Sequence, residues 1–144
     1  MTYVTLKSLH LLATIAFIGT LFFQVVILWP ATRNMSAEPV ETARQAIKKR
    51  AQDVIHWAGL LLYGVGLALV WPYRSYLLDP FASTFSLFLS LKLLLAALIL
   101  LHYVALAFLR RSGILGERGT YWLNVSVLLL AVLLVLCSKG MFLL

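Results

Sequence analysis

Four long apolar stretches run along the chain, at 3–29, 54–71, 85–109 and 121–144, and three polar connections separate them. Each approaches or exceeds the ~20 residues that cross ~30 Å of hydrocarbon at 1.5 Å per residue. Backbone groups in hydrocarbon must bond within their own segment, so each stretch predicts a transmembrane helix. Short links between consecutive spans predict antiparallel neighbours. The expected fold is all-α: one integral membrane domain over 1–144, an antiparallel bundle of four transmembrane helices. The apolar run at 9–29 is too long for a signal core of about 7–15 residues, and Lys7 is its only early positive charge, so it reads as the first span.

Within the spans, periodicity marks faces. In span one His10, Thr14, Phe17, Leu21 and Gln24 recur at helical spacing. In span four Asn124, Leu128, Ala131, Val135 and Ser138 do the same. Both stripes are expected to face the bundle. Ala13, Ala16 and Gly19 in span one, and Gly59, Gly64 and Gly66 in span two, let helices approach closely. Close packing alone and room for a flat cofactor are both open at these positions.

Composition agrees with a bilayer as solvent: 62% of the residues are hydrophobic and only 12% are charged. The net charge of +7 changes the picture only through its placement. Arg33, Arg44, Lys48, Lys49 and Arg50 lie in the first connection; Arg110, Arg111 and Arg118 lie in the third. The second connection, with Pro72, Arg74, Asp79 and Pro80, is nearly free of basic residues. That asymmetry sets topology and favours anionic lipid as partner, rather than nucleic acid. It predicts cytoplasmic first and third connections, with both termini outside. Ser36 and Pro39 mark an expected helix start, with Glu38 and Glu41 at its positive end, and 37–52 is expected to run helically into span two. Gly113, Gly116 and Gly119 are expected breakers.

Ionisable groups inside spans are costly and mark candidate sites. By the predicted topology His10, Lys92 and Lys139 share the outer half, while His56, His102 and Asn124 share the inner half. Lys139 is close enough to a helix end to snorkel, and Lys92 lies deeper, in the run SLFLSLKLLLAALILLHY. Asn124 and Gln24 can serve as helix–helix hydrogen bonds. Histidines on three helices can hold a metal, haem iron or protons. His56 and His102 could form a bis-histidine pair, and His10 with Lys92 could hold an anionic tetrapyrrole. Copper(I) prefers sulfur ligands; Met1, Met35 and Met141 all lie away from the middle of a span, and Cys137 is the single cysteine. No HExxH, GxSxG or phosphate loop is present, and Glu38, Glu41, Asp53, Asp79 and Glu117 lie in loops or at helix ends. If the chain is an enzyme, redox chemistry on a bound cofactor is the remaining class.

The start, LKSLHLLATIAFIGTLFF, resembles the first helix of HemJ-type protoporphyrinogen IX oxidases and the related CopD-like membrane proteins. Lys7, Leu9, His10, Phe17, Gly19, Leu21 and Phe22 carry that resemblance. The third span, LKLLLAALILLHYVALAFLRR, is similar to the family's third helix through Lys92, His102, Tyr103, Arg110 and Arg111. The last span, YWLNVSVLLLAVLLVLCSKGMF, is similar through Asn124 and Lys139. The resemblance implies haem b in a bacterial inner membrane; the histidines would serve one or two haems per chain, and the loop charges put the termini on the periplasmic side. It implies His10 as an iron ligand and Lys92 as a residue of the activity, facing a porphyrin carboxylate. His56 and His102 join His10 as candidate iron ligands, with Lys92, Lys139 and Asn124 as further cofactor contacts. The implied reaction is an oxidation in porphyrin biosynthesis, with electrons passing to quinone or a respiratory complex. Copper transport of CopD type, a structural subunit of a respiratory complex, and homo-oligomerisation are alternatives that the residues leave open.

Overall fold

A computed structural model describes residues 2–140. The chain is helical along nearly all of that length. Its elements are α1 (Tyr3–Phe22), a π-helical turn (Phe23–Leu28), α2 (Trp29–Thr32), α3 (Glu38–Val70), a 3-10 helix (Trp71–Leu77), α4 (Thr84–Arg111) and α5 (Glu117–Gly140). Four segments are long and apolar enough to cross a membrane: Tyr3–Thr32, Glu38–Leu77, Thr84–Arg111 and Glu117–Gly140. The four expected spans are therefore present as helices, and the end of the fourth expected span, 141–144, lies outside the described residues. Large apolar side chains such as Leu12, Leu60, Leu101 and Leu129 are exposed, as lipid-facing positions must be.

Two compact units divide the chain, Met1–Pro72 and Tyr73–Leu144. In the first, α1 packs on α3. His10 meets Gly66, and Phe17 meets Gly59, so the two helices run antiparallel with one register throughout. Ala13, Phe17 and Leu21 of α1 are buried there, with Ala51, Ile55, Ala58 and Val65 of α3. The expected span-one face is thus real at Phe17 and Leu21, with His10, Thr14 and Gln24 half-buried along its edge.

In the second unit α4 packs on α5. Phe88 meets Gly140, and His102 meets Ser126, again a single antiparallel register. The buried positions are Leu89, Leu95, Ile99 and Leu106 of α4 with Val127, Ala131 and Cys137 of α5. The expected span-four stripe is correct at Ala131. Val135 is exposed, and Val127 and Cys137 carry the burial instead. Span four is apolar nearly all round, so its sequence does not single out one face.

Local chemistry explains the helix ends. Pro30 has no N–H and crowds the carbonyl four residues back, and the helix before it widens into the π turn, in which the Trp29 N–H reaches the Gln24 carbonyl. α3 is 33 residues long, about 50 Å, so its polar first part extends beyond ~30 Å of hydrocarbon. That part is an uninterrupted helix, as expected, stitched by the Arg44–Glu41 ion pair and a Gln45–Glu41 hydrogen bond of 2.9 Å. Its start corrects the expectation: Ala37, not Ser36, holds the cap position, without a side-chain bond. Pro39 removes one N–H from the first turn, and the Val40 N–H already donates to the Ala37 carbonyl at 3.0 Å, so a capping hydroxyl has little left to accept.

α4 begins on a true cap, with Ser83 Oγ accepting from the Ser86 N–H at 3.1 Å. It ends where Gly113 turns into the left-handed region at φ 69°. Gly116 lies in the connection as expected. Gly119 does not break structure: it sits inside α5, where its missing Cβ makes room for Leu115.

Candidate functional site: histidines on two helix seams

His10 lies on α1, half-buried, with its ring laid against α3 at Gly66. A Cβ at position 66 would come within 3.2 Å of His10 Cε1 and 3.7 Å of Nδ1. Such a spacing is tighter than ordinary packing, so the glycine is what admits the imidazole between the helices. The neighbouring contact is similar in kind but looser: a Cβ at Gly59 would sit 3.9 Å from the Phe17 ring. Gly19 and Gly64 face open space. Among the small residues of spans one and two, Gly66 is therefore the one whose lack of a side chain is tied to a candidate ligand. The Thr14 hydroxyl donates to the His10 carbonyl at 2.7 Å, which keeps the threonine's polar group satisfied within α1.

His102 lies half-buried on α4 and crosses to α5. Its Nδ1 is 2.9 Å from the Leu98 carbonyl, and its Nε2 is 3.3 Å from Ser126 Oγ. A carbonyl can only accept, so Nδ1 carries the proton. In the neutral ring Nε2 is then the acceptor, and Ser126 donates to it. This fixes the tautomer, with the Nε2 lone pair aimed across the seam.

His56 is exposed on α3, and its Nδ1 donates to the Gln52 carbonyl at 3.1 Å. By the same reasoning its Nδ1 is protonated. His10 and His56 belong to the same unit but are not brought together. His10 is level with Gly66, about 15 Å along α3 from His56 by the helical rise. His56 and His102 lie in different units.

Lys92 lies half-buried on α4, about 15 Å along the helix from His102. Lys139, on α5 beside Gly140, is exposed and stands within about a helical turn of the Lys92 level. Asn124 is half-buried near Ser126 on α5. Among the described residues no three His, Cys, Asp or Glu side chains gather as a metal site. Cys137 is buried on α5, Met35 is exposed, and Met1 and Met141 lie outside the described residues.

Ser126 is the polar partner that sequence reasoning missed. A signal was available: His102 and Ser126 are equidistant along the chain from Ile114, at the middle of the connection between α4 and α5. A hairpin of two helices with a short link pairs residues in that way.

Among the described residues the fold defines a class, an all-helical protein with four helices long and apolar enough to cross a membrane, carrying one half-buried histidine on the seam of each helix pair. No family model, curated protein or solved structure matches the chain.

Proposed function

We propose that this chain is a haem b-binding redox protein of a bacterial inner membrane, similar to HemJ-type and CopD-like proteins, with His10 as the residue that would hold the iron and both termini on the periplasmic side. The observation that carries the reading is the seat of His10. The imidazole occupies an apolar helix seam at a point where α3 has given up its Cβ. A histidine so placed is half-buried in the seam whose buried positions on α1 are Ala13, Phe17 and Leu21, which suits an iron ligand that must be screened from water.

Bound there, haem supplies one-electron chemistry to a tetrapyrrole substrate, a quinone or a respiratory partner. The chain's own residues have simpler tasks. His10 offers a ring nitrogen, and Gly66 keeps its ring in the seam. Lys92, half-buried in α4 of the second unit, carries a positive charge of the kind that pairs with a tetrapyrrole carboxylate. His102, held in one tautomer by the Leu98 carbonyl, offers Nε2 as a ligand or proton acceptor within its own helix pair only when Ser126 releases it.

The test is a reduced-minus-oxidised visible spectrum of the purified protein with haem extraction, repeated on His10→Ala, His56→Ala and His102→Ala. A b-type spectrum lost in His10→Ala is the expected result. A colourless wild-type protein, monodisperse and expressed with haem available, would overturn the reading. Copper in that protein would then favour transport, and co-purification with a larger oxidase would favour a structural subunit.

A further inference from the structure

The two most exposed large apolar side chains among the described residues are Leu78, at 87%, and Phe81, at 85%. Both belong to the connection between α3 and α4, close to each other in sequence. Exposed apolar residues on the spans are explained by lipid contact. These two stand outside the spans, so their exposure needs its own reason.

The connection is built to hold them out. The Leu78 N–H donates to the Ser75 carbonyl at 3.3 Å, closing the 3-10 helix. The Asp79 carboxylate accepts from the Phe81 N–H at 3.3 Å, the bond of an Asx turn, and Pro80 fixes the backbone between them. The Ala82 N–H then reaches the Asp79 carbonyl at 3.3 Å, and Ser83 caps α4. Tyr73 lies tilted and Tyr76 edge-on against Phe85 in the first turn of α4, with ring centroids 5.7 Å and 5.3 Å away. The tip is thus tied to the end of a membrane-length helix and presents a leucine and a phenylalanine outward.

We infer that this tip is a membrane-interface anchor, with Leu78 and Phe81 inserted among the headgroups and upper acyl chains of the leaflet opposite the basic connections. Three observations select lipid as the occupant. α4, 28 residues and about 42 Å long, matches a bilayer of ~40–45 Å with both headgroup layers included, which sets its first turn and the attached tip in the headgroup layer. The aromatic tyrosines beside the tip are of the type enriched at that depth. Exposed large apolar side chains also resume on α4 within two turns of the tip, at Leu87.

The test uses single-cysteine variants Leu78→Cys and Phe81→Cys, and Ser36→Cys, exposed in the polar connection before α3, as a control, each with Cys137→Ser. Each carries an environment-sensitive fluorophore and is reconstituted into vesicles of phosphatidylcholine with phosphatidylglycerol. The expected result is blue-shifted emission at 78 and 81, quenched by lipids spin-labelled high on the acyl chain. Both positions should resist aqueous iodide at least threefold better than position 36. Iodide quenching equal to that at position 36 would overturn the inference. Protection from both quenchers would also overturn it, and would point to a second copy or a protein partner. If Phe81→Cys fails to yield monodisperse protein, Leu78→Cys, on the other side of Pro80, decides the question alone.

Discussion

The two helix pairs solve the same problem in different ways. Both are antiparallel, both hold one register along their length, and both place a half-buried histidine on the seam. In the first pair the imidazole lies against a glycine, and the contact is steric. In the second it lies against a serine, and the contact is a hydrogen bond that consumes Nε2. The glycine contact constrains where the imidazole sits between the helices. A ring tied at both nitrogens is first of all a helix–helix fastening, and must release Ser126 before it can ligate anything. The proposed iron ligand is His10 because its ring is seated in the seam against Gly66, and His102 is already fastened to Leu98 and Ser126.

The comparison breaks most sharply at position 66. Gly66→Leu is expected to lower stability by about 1–3 kcal/mol, because a side chain must displace the His10 ring from a packed seam. Thermal unfolding in detergent measures it. The same substitution in a His10→Ala background should cost much less, and a cycle with equal costs in both backgrounds would show that the imidazole is not what Gly66 accommodates. Bound haem should fall with Gly66→Leu, while Gly59→Ala, whose Cβ would meet Phe17 at an ordinary 3.9 Å, should leave it unchanged.

A second contrast concerns what sets the register of the second pair. Gly113 carries φ 69°, so Gly113→Ala is expected to cost about 1–2 kcal/mol through backbone strain alone. Unfolding measurements should show this loss with haem content unaltered. A variant as stable as the wild type would mean that the turn relaxes without help from glycine.

The seam hydrogen bond is expected to matter less. Ser126→Ala and His102→Ala should each cost about 0.6 kcal/mol, in line with interhelical hydrogen bonds in membranes, with an upper bound near 1.7. The double variant should cost little more than either single one. Strict additivity would separate the two side chains energetically. The smallest effects belong to Gly19→Ala and Gly64→Ala, which face open space and should change stability by no more than about 0.5 kcal/mol. A large loss at either position would identify a contact made only in the assembled membrane protein.

Much of this was legible in the chain. The four spans follow from run length, and the helical extension before span two follows from its polar pattern and its acidic start. Ends were harder. Ser36 has the right chemistry for a cap, but Pro39 and the tight first turn use up the donors it would need. Gly119 has the composition of a breaker, yet a helix tolerates glycine, and here the absent Cβ receives Leu115. Span four shows the deeper limit. A helix in lipid is apolar on every side, so periodicity singled out Ala131 correctly and Val135 wrongly.

By itself the sequence determined the four apolar segments, the unequal loop charges and the short inventory of polar groups in the spans. Those depend on the transfer of side chains between water and hydrocarbon, which each residue carries with it. Only the tertiary structure decided that His10 rests on Gly66, that His102 bonds to Ser126, and that His56 stays exposed. Those depend on the rotation of each helix about its axis. In lipid that rotation is fixed by close packing and a few hydrogen bonds between helices, since turning one apolar face for another changes no transfer energy.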